Sequence, residues 1–110
     1  MGGGSLVADM PEAINDTDTL ASLVQPAILA RQGLLVPNRV TVDLSTDHTG
    51  DEVYRVYLVF PDDTPDKALP WEKVKRTVSW VRNQIRKANR EQRWPYVRVM
   101  RESQLLPAPF

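Results

Sequence analysis

The sequence predicts an α+β fold: one small domain of αββαβ order, its three-stranded mixed or antiparallel sheet packed by one face on an amphipathic helix over 70–88. Three observations carry that expectation. Two adjacent runs, Arg39 to Leu44 and Glu52 to Phe60, alternate side chains with the period of two that a strand requires. The run from Trp71 to Ala88 repeats its apolar residues at spacings of three and four, the helical period. At 110 residues, with 42% hydrophobic and 25% charged side chains, the chain is long enough for a single core and has globular composition.

The first element is a helix in which Leu20, Leu23, Val24, Ala27, Ile28 and Ala30 follow helical spacing. Asp16 to Thr19 offers N-cap candidates, and Gly33 suits the C′ stop. Pro26 is expected to kink this helix or to start a second one, because proline has no amide to give the ladder. Residues 1–9, opening Met1-Gly-Gly-Gly-Ser5, are read as a flexible N-terminus ahead of a domain over 10–104.

Val40, Val42 and Leu44 then form one face of a first strand, opposite Arg39, Thr41 and Asp43. Ser45 to Asp51 contains Asp47, Thr49, Gly50 and Asp51, which make local turn bonds or accept positive φ, so a β-hairpin is predicted. The second strand has a wholly apolar face (Tyr54, Val56, Leu58, Phe60) and a mixed one (Val53, Arg55, Tyr57, Val59), which favours the centre of the sheet. Pro61-Asp-Asp-Thr-Pro-Asp66 ends it.

The second helix opens at Pro70, which suits the first turn. Its apolar stripe is Trp71, Val74, Val78, Val81, Ile85 and Ala88, expected to be the main anchor on the sheet. Arg86, Lys87 and Arg90 sit in the last turns, where cations complement the helix dipole. A third strand covers Tyr96 to Arg101, with Val97 and Val99 opposite Tyr96, Arg98 and Met100. Parallel pairing with an earlier strand would make the intervening helix a right-handed crossover. Residues 105–110 form an apolar tail with two prolines.

The charges are sorted along the chain. Residues 1–66 carry eleven acids against three bases, and residues 67–110 carry eleven bases against three acids, so a net charge of zero hides parts of about −8 and +8. Such asymmetry points to an electrostatically chosen partner, or to one part neutralising the other. With no cysteine there is neither a disulfide framework nor a thiolate site, which fits a cytoplasmic location. No run is apolar over the length a membrane span needs, so no membrane partner is expected.

No nucleotide-binding, zinc-hydrolase or nucleophile-elbow motif occurs, and no cofactor is implied. His48 stands with Asp47, Asp51 and Glu52 at the hairpin, but turn chemistry accounts for them and their spacing matches no calcium loop. Asp62, Asp63 and Asp66 resemble a magnesium cluster on paper, yet a loop ahead of a helix N-terminus attracts the same residues.

Two groups stand out as partner-binding candidates. Lys73, Arg76, Trp80, Gln84 and Lys87 bring a tryptophan and cations onto one side of the second helix, outside its apolar stripe. Arg55 and Tyr57 on strand two, with Tyr96 and Arg98 on strand three, would form an arginine–tyrosine patch on the sheet face away from that helix, a surface able to stack bases. An N-terminal helix over that face, or a pair between Arg98 and Asp43, would account for the same residues structurally. The expectation is a non-enzymatic protein-interaction module that binds an acidic partner or a second copy. Binding of RNA or DNA through either group is the alternative.

Overall fold

A computed structural model of the chain describes residues 14, 16–90 and 92–105. The expectations of a flexible 1–9 and of an apolar tail after Leu105 lie outside those residues. Helix α1 spans Thr17–Leu29, β1 Arg39–Thr46, β2 Glu52–Phe60, α2 Trp71–Ala88, β3 Trp94–Arg101 and the single-turn α3 Glu102–Leu105. The fold is α+β with a mixed sheet in the order β1-β2-β3. β1 and β2 are antiparallel, with Val42 opposite Val56, and β3 runs parallel to β2, with Val97 opposite Val56. The doubly apolar strand is therefore the central one, the position its composition favoured.

Both long helices cover the same face of the sheet, α1 against β1 and α2 against β3. Leu20, Val24 and Ile28 of α1, Val81 and Ile85 of α2, and Tyr54, Val56 and Leu58 of β2 are all fully buried in the core between the layers. Asp16 caps α1, its carboxylate accepting from the Asp18 amide at 3.4 Å and the Thr19 hydroxyl at 2.6 Å. Pro26 neither divides α1 nor starts a new helix. It lies on the exposed side with Ser22, whose carbonyl loses the amide four residues on but can turn to water. Gly33 is not the C′ residue: α1 ends at Leu29 with Ala30 as its cap, and Gly33, at φ 87°, bends the turn that follows.

The hairpin forms as predicted, organised by Asp47. Its Oδ1 accepts from the amides of Thr49 (2.9 Å) and Asp51 (3.0 Å) and from the Thr49 hydroxyl (2.6 Å), while Gly50 takes φ 91°. β3 begins two residues earlier than the alternation suggests, at Trp94. Pro95 is tolerated because β3 is the last strand of the sheet.

The stripe of α2 is displaced from its predicted line. Thr77, Val81 and Ile85 are buried, Val74 and Val78 are half-buried, and Trp71 is 68% exposed. The cause is α1, which shares the sheet face: its loop meets α2 on the Thr77 side, where the Thr77 hydroxyl accepts from the buried Leu35 amide at 3.0 Å. Val74 and Val78 are left on the flank above the outer edge of β3.

Candidate partner-binding surface

The two predicted groups fall on different layers. Lys73, Arg76, Trp80, Gln84 and Lys87 follow the side of α2 that turns toward α1, and Trp80 packs against the core with the Arg31 guanidinium 5.8 Å over its ring. Trp80 is thus half-buried and occupied within the fold, and Arg31 joins Lys73, Arg76 and Lys87 as an exposed cation on this side. Arg31 escapes a linear reading because it is brought there by the turn after α1.

Arg55, Tyr57, Tyr96 and Arg98 do come together. The register sets Arg55 opposite Tyr96 and Tyr57 opposite Arg98, on the face away from both long helices. α1 does not cover this face, since it lies with α2 on the other one. Asp43 stands opposite Arg55 rather than Arg98. Arg55 itself donates to Ser45 Oγ at 3.0 Å, and Tyr96 is 40% exposed. At the far end of the same face the electrostatics change sign: Glu102 binds Arg39 through both carboxylate oxygens at 2.7 and 2.9 Å, beside Asp43 and Asp62.

Two of the three acids of the 61–66 loop have structural employment. Asp62 accepts from the Ser103 amide at 2.8 Å and so caps α3, while Asp66 accepts from Arg101 at 2.7 Å, and Arg101 also donates to the Thr64 carbonyl at 2.9 Å. At the hairpin, Asp47 is engaged by its own turn, and Glu52 accepts from Arg93 at 3.1 Å. Among the described residues no three metal-ligating side chains gather, and no helix is long and apolar enough to cross a membrane.

Charge pairing across the sorted halves is real but partial. Arg93–Glu52 and Arg101–Asp66 join the basic half to the acidic one, and Lys75 pairs with Glu72 one helical turn away. Among the described residues, no carboxylate lies within ion-pair distance of Lys73, Arg76, Arg82, Lys87 or Arg98. The Glu52 carboxylate and the Tyr54 hydroxyl hold the Arg93 guanidinium above the ordinary arginine value. Cations therefore remain on both flanks of α2, and on the β3 flank they border a groove of about 530 Å³ between α2 and β3.

That groove was not legible beforehand. Its walls combine Trp71, Val74 and Val78 of α2 with Val97 and Val99 of β3, and Lys75, Arg82 and Arg98 supply its charge. Behind it Trp94 lies under two guanidiniums, Arg82 at 5.5 Å and Arg86 at 5.1 Å from the ring centre. Only the strand order, which makes β3 an edge, brings these residues to one place. Comparison with known proteins finds no matching family model, no similar curated protein and no similar solved structure.

Proposed function

We propose that the chain is a non-enzymatic interaction module that binds an acidic polypeptide along α2. The observation supporting this most strongly is the set of cations, Lys73, Arg76, Arg82, Lys87 and Arg98, without a carboxylate partner among the described residues. A fold that neutralised its own basic half would leave little to attract a polyanion; this one uses Arg93 and Arg101 internally and leaves Lys73, Arg76, Lys87 and Arg98 exposed. Charge complementarity of this kind raises the association rate and selects among partners. Exposed Trp71 and Trp94 flank the cations as apolar contacts.

The acidic partner is favoured over a second copy by where the acids lie. Among the described residues they are spread over the start of α1 (Asp16, Asp18), the hairpin (Asp47, Asp51, Glu52) and the region of the 61–66 loop with Asp43 and Glu102, so no one acidic surface there matches the length of α2. Nucleic acid is the second reading, supported by Tyr96 and Arg98 on the sheet face that neither long helix covers.

Fluorescence anisotropy with labelled probes separates them. A peptide of alternating aspartate and valine is expected to bind, to weaken as salt rises toward about 0.5 M, and to lose most of its affinity for the Lys73→Glu/Arg76→Glu/Lys87→Glu variant. Tighter binding of a single-stranded oligonucleotide, lost on Tyr96→Ala, would replace the peptide reading. Absence of any salt-sensitive peptide binding would remove it.

A further inference from the structure

We infer that the groove between α2 and β3 seats an extended acidic segment of a protein partner, which adds to the sheet as a fourth strand on the free edge of β3. The inference rests on the acidic-partner reading and assigns it a place and a mode.

Topology supplies the first argument. Among the described residues β3 pairs only with β2, so the amides and carbonyls along its other side have no ladder partner in the sheet they form. Such an edge is a template for another extended chain, and the affinity then comes from backbone bonds while alternate side chains select the sequence. The other edge, β1, suits an acidic segment less: Asp43 of that strand lies with Asp62 and Glu102, whose carboxylates would repel it.

The groove beside β3 is shaped for a strand. Val97 and Val99 face the helix layer, where they meet half-buried Val74 and Val78, so every second side chain of an added strand would find an apolar floor. The exposed ring of Trp71 stands at one end. Arg98 projects on the opposite sheet face, where the intervening side chains of the added strand would lie beside it.

Charge identifies the occupant. Lys75, Arg82 and Arg98 line the groove, and among the described residues only Lys75 of the three has a carboxylate within ion-pair distance, Glu72 at 3.6 Å. Arg82 adds a second observation, because its Nε is buried without a hydrogen-bond acceptor among the described residues. A buried donor of a charged group left unpaired is costly, and a carboxylate or carbonyl arriving in the groove would relieve it. The segment's pattern follows: apolar residues toward Val74 and Val78, acidic residues toward Arg98 on the other sheet face, and a backbone carbonyl within reach of Arg82.

The chain's own C-terminal segment is not the occupant we infer. α3 leads away from the groove, since Glu102 is bound to Arg39 of β1 and Leu105 lies with Thr41 and Asp43.

The test uses the full chain and capped peptides of roughly eight residues that alternate aspartate and valine. One peptide is unmodified; two carry N-methyl groups on alternate backbone amides, one set on the amides preceding aspartate and the other on those preceding valine. An added strand turns one set of amides toward β3 and the other to solvent. One methylated peptide should therefore bind at least about tenfold more weakly than the parent and the other nearly as well. Val78→Lys, which places a charge on the floor without touching the buried line of α2, should weaken the parent peptide by a similar factor.

Equal binding of all three peptides would overturn strand addition while leaving the acidic-partner reading intact. No binding of the parent would remove both. Free chain that light scattering finds dimeric, and that the peptide converts to monomer, would assign the edge to a second copy and overturn the inference as stated.

Discussion

Thr77 and Asn89 are polar side chains with no solvent exposure, and each holds a backbone junction. The Thr77 hydroxyl donates to the Lys73 carbonyl at 2.8 Å and accepts from the Leu35 amide, joining α2 to the loop that precedes β1. Thr77→Val keeps the shape but strands the Leu35 amide, and is expected to cost about 1–3 kcal/mol in urea unfolding. Thr77→Ser, which keeps the hydroxyl, should cost clearly less than Thr77→Val; equal losses would mean that packing rather than the hydrogen bond fixes the site. Asn89 donates to the Ile85 carbonyl at 2.6 Å and accepts from the Arg93 amide at 3.0 Å, closing the turn from α2 into β3. Neither role was legible, because a lone polar residue near a helical stripe reads as solvent-facing. Arg90 takes φ 56° just after α2, where a glycine would have marked the helix end in the sequence.

Two aspartates make the fold sensitive to acid. The Thr19 hydroxyl, first among its contacts, holds Asp16 below the ordinary aspartate value of 3.8, and the Thr49 hydroxyl does the same for Asp47. A depressed carboxyl pKa stabilises the folded chain fully above the unfolded value, and that contribution disappears as pH falls through the lower folded value. The urea midpoint should therefore fall as pH drops from neutrality through about 4. Asp47→Asn, which has no proton to gain, should show a shallower fall than the parent chain, and identical slopes would exclude Asp47 from the acid response.

Among the elements, α2 divides most clearly between structure and binding. Its buried line of Thr77, Val81 and Ile85 fixes it to the sheet, whereas Trp71 is mostly in solvent. Ile85→Ala is expected to destabilise by about 2–5 kcal/mol through the cavity it leaves. Trp71→Ala should stay within about 0.5 kcal/mol of the parent chain and yet weaken the aspartate–valine peptide. A large stability loss at Trp71 would return it to the core, where the periodicity first put it. The second helix, the hairpin and the third strand were legible because each repeats its own period over at least six residues. The exact buried line of α2 was not, since it depends on α1 occupying the same sheet face, and periodicity within α2 contains nothing about α1.

Over the whole molecule, a charge pattern that is two-sided in sequence becomes several-sided in space. The hairpin acids and the 61–66 acids are separated by the length of β2, roughly 30 Å, and part of each group is taken up by Arg93 or Arg101. Among the described residues two copies thus lack a single pair of matching poles, and light scattering should find a monomer at both low and high salt. A dimer that dissociates as salt rises would show that the acidic loops do reach α2 of a second copy. Charge sorting was visible at first reading and the helix cations followed from it. The edge groove required the strand order, because Trp71, Arg82 and Arg98 are unremarkable neighbours until β3 is known to be the outermost strand.

The most direct test of the central claim is an amide-resolved NMR titration of the isotope-labelled chain with the unmodified aspartate–valine peptide. The account predicts shifts concentrated on 96–100 and along 71–82, with the β3 amides becoming protected from exchange, and fading of both effects at about 0.5 M salt. Shifts confined to Arg55, Tyr57 and the hairpin, with the α2–β3 groove unchanged, would contradict it.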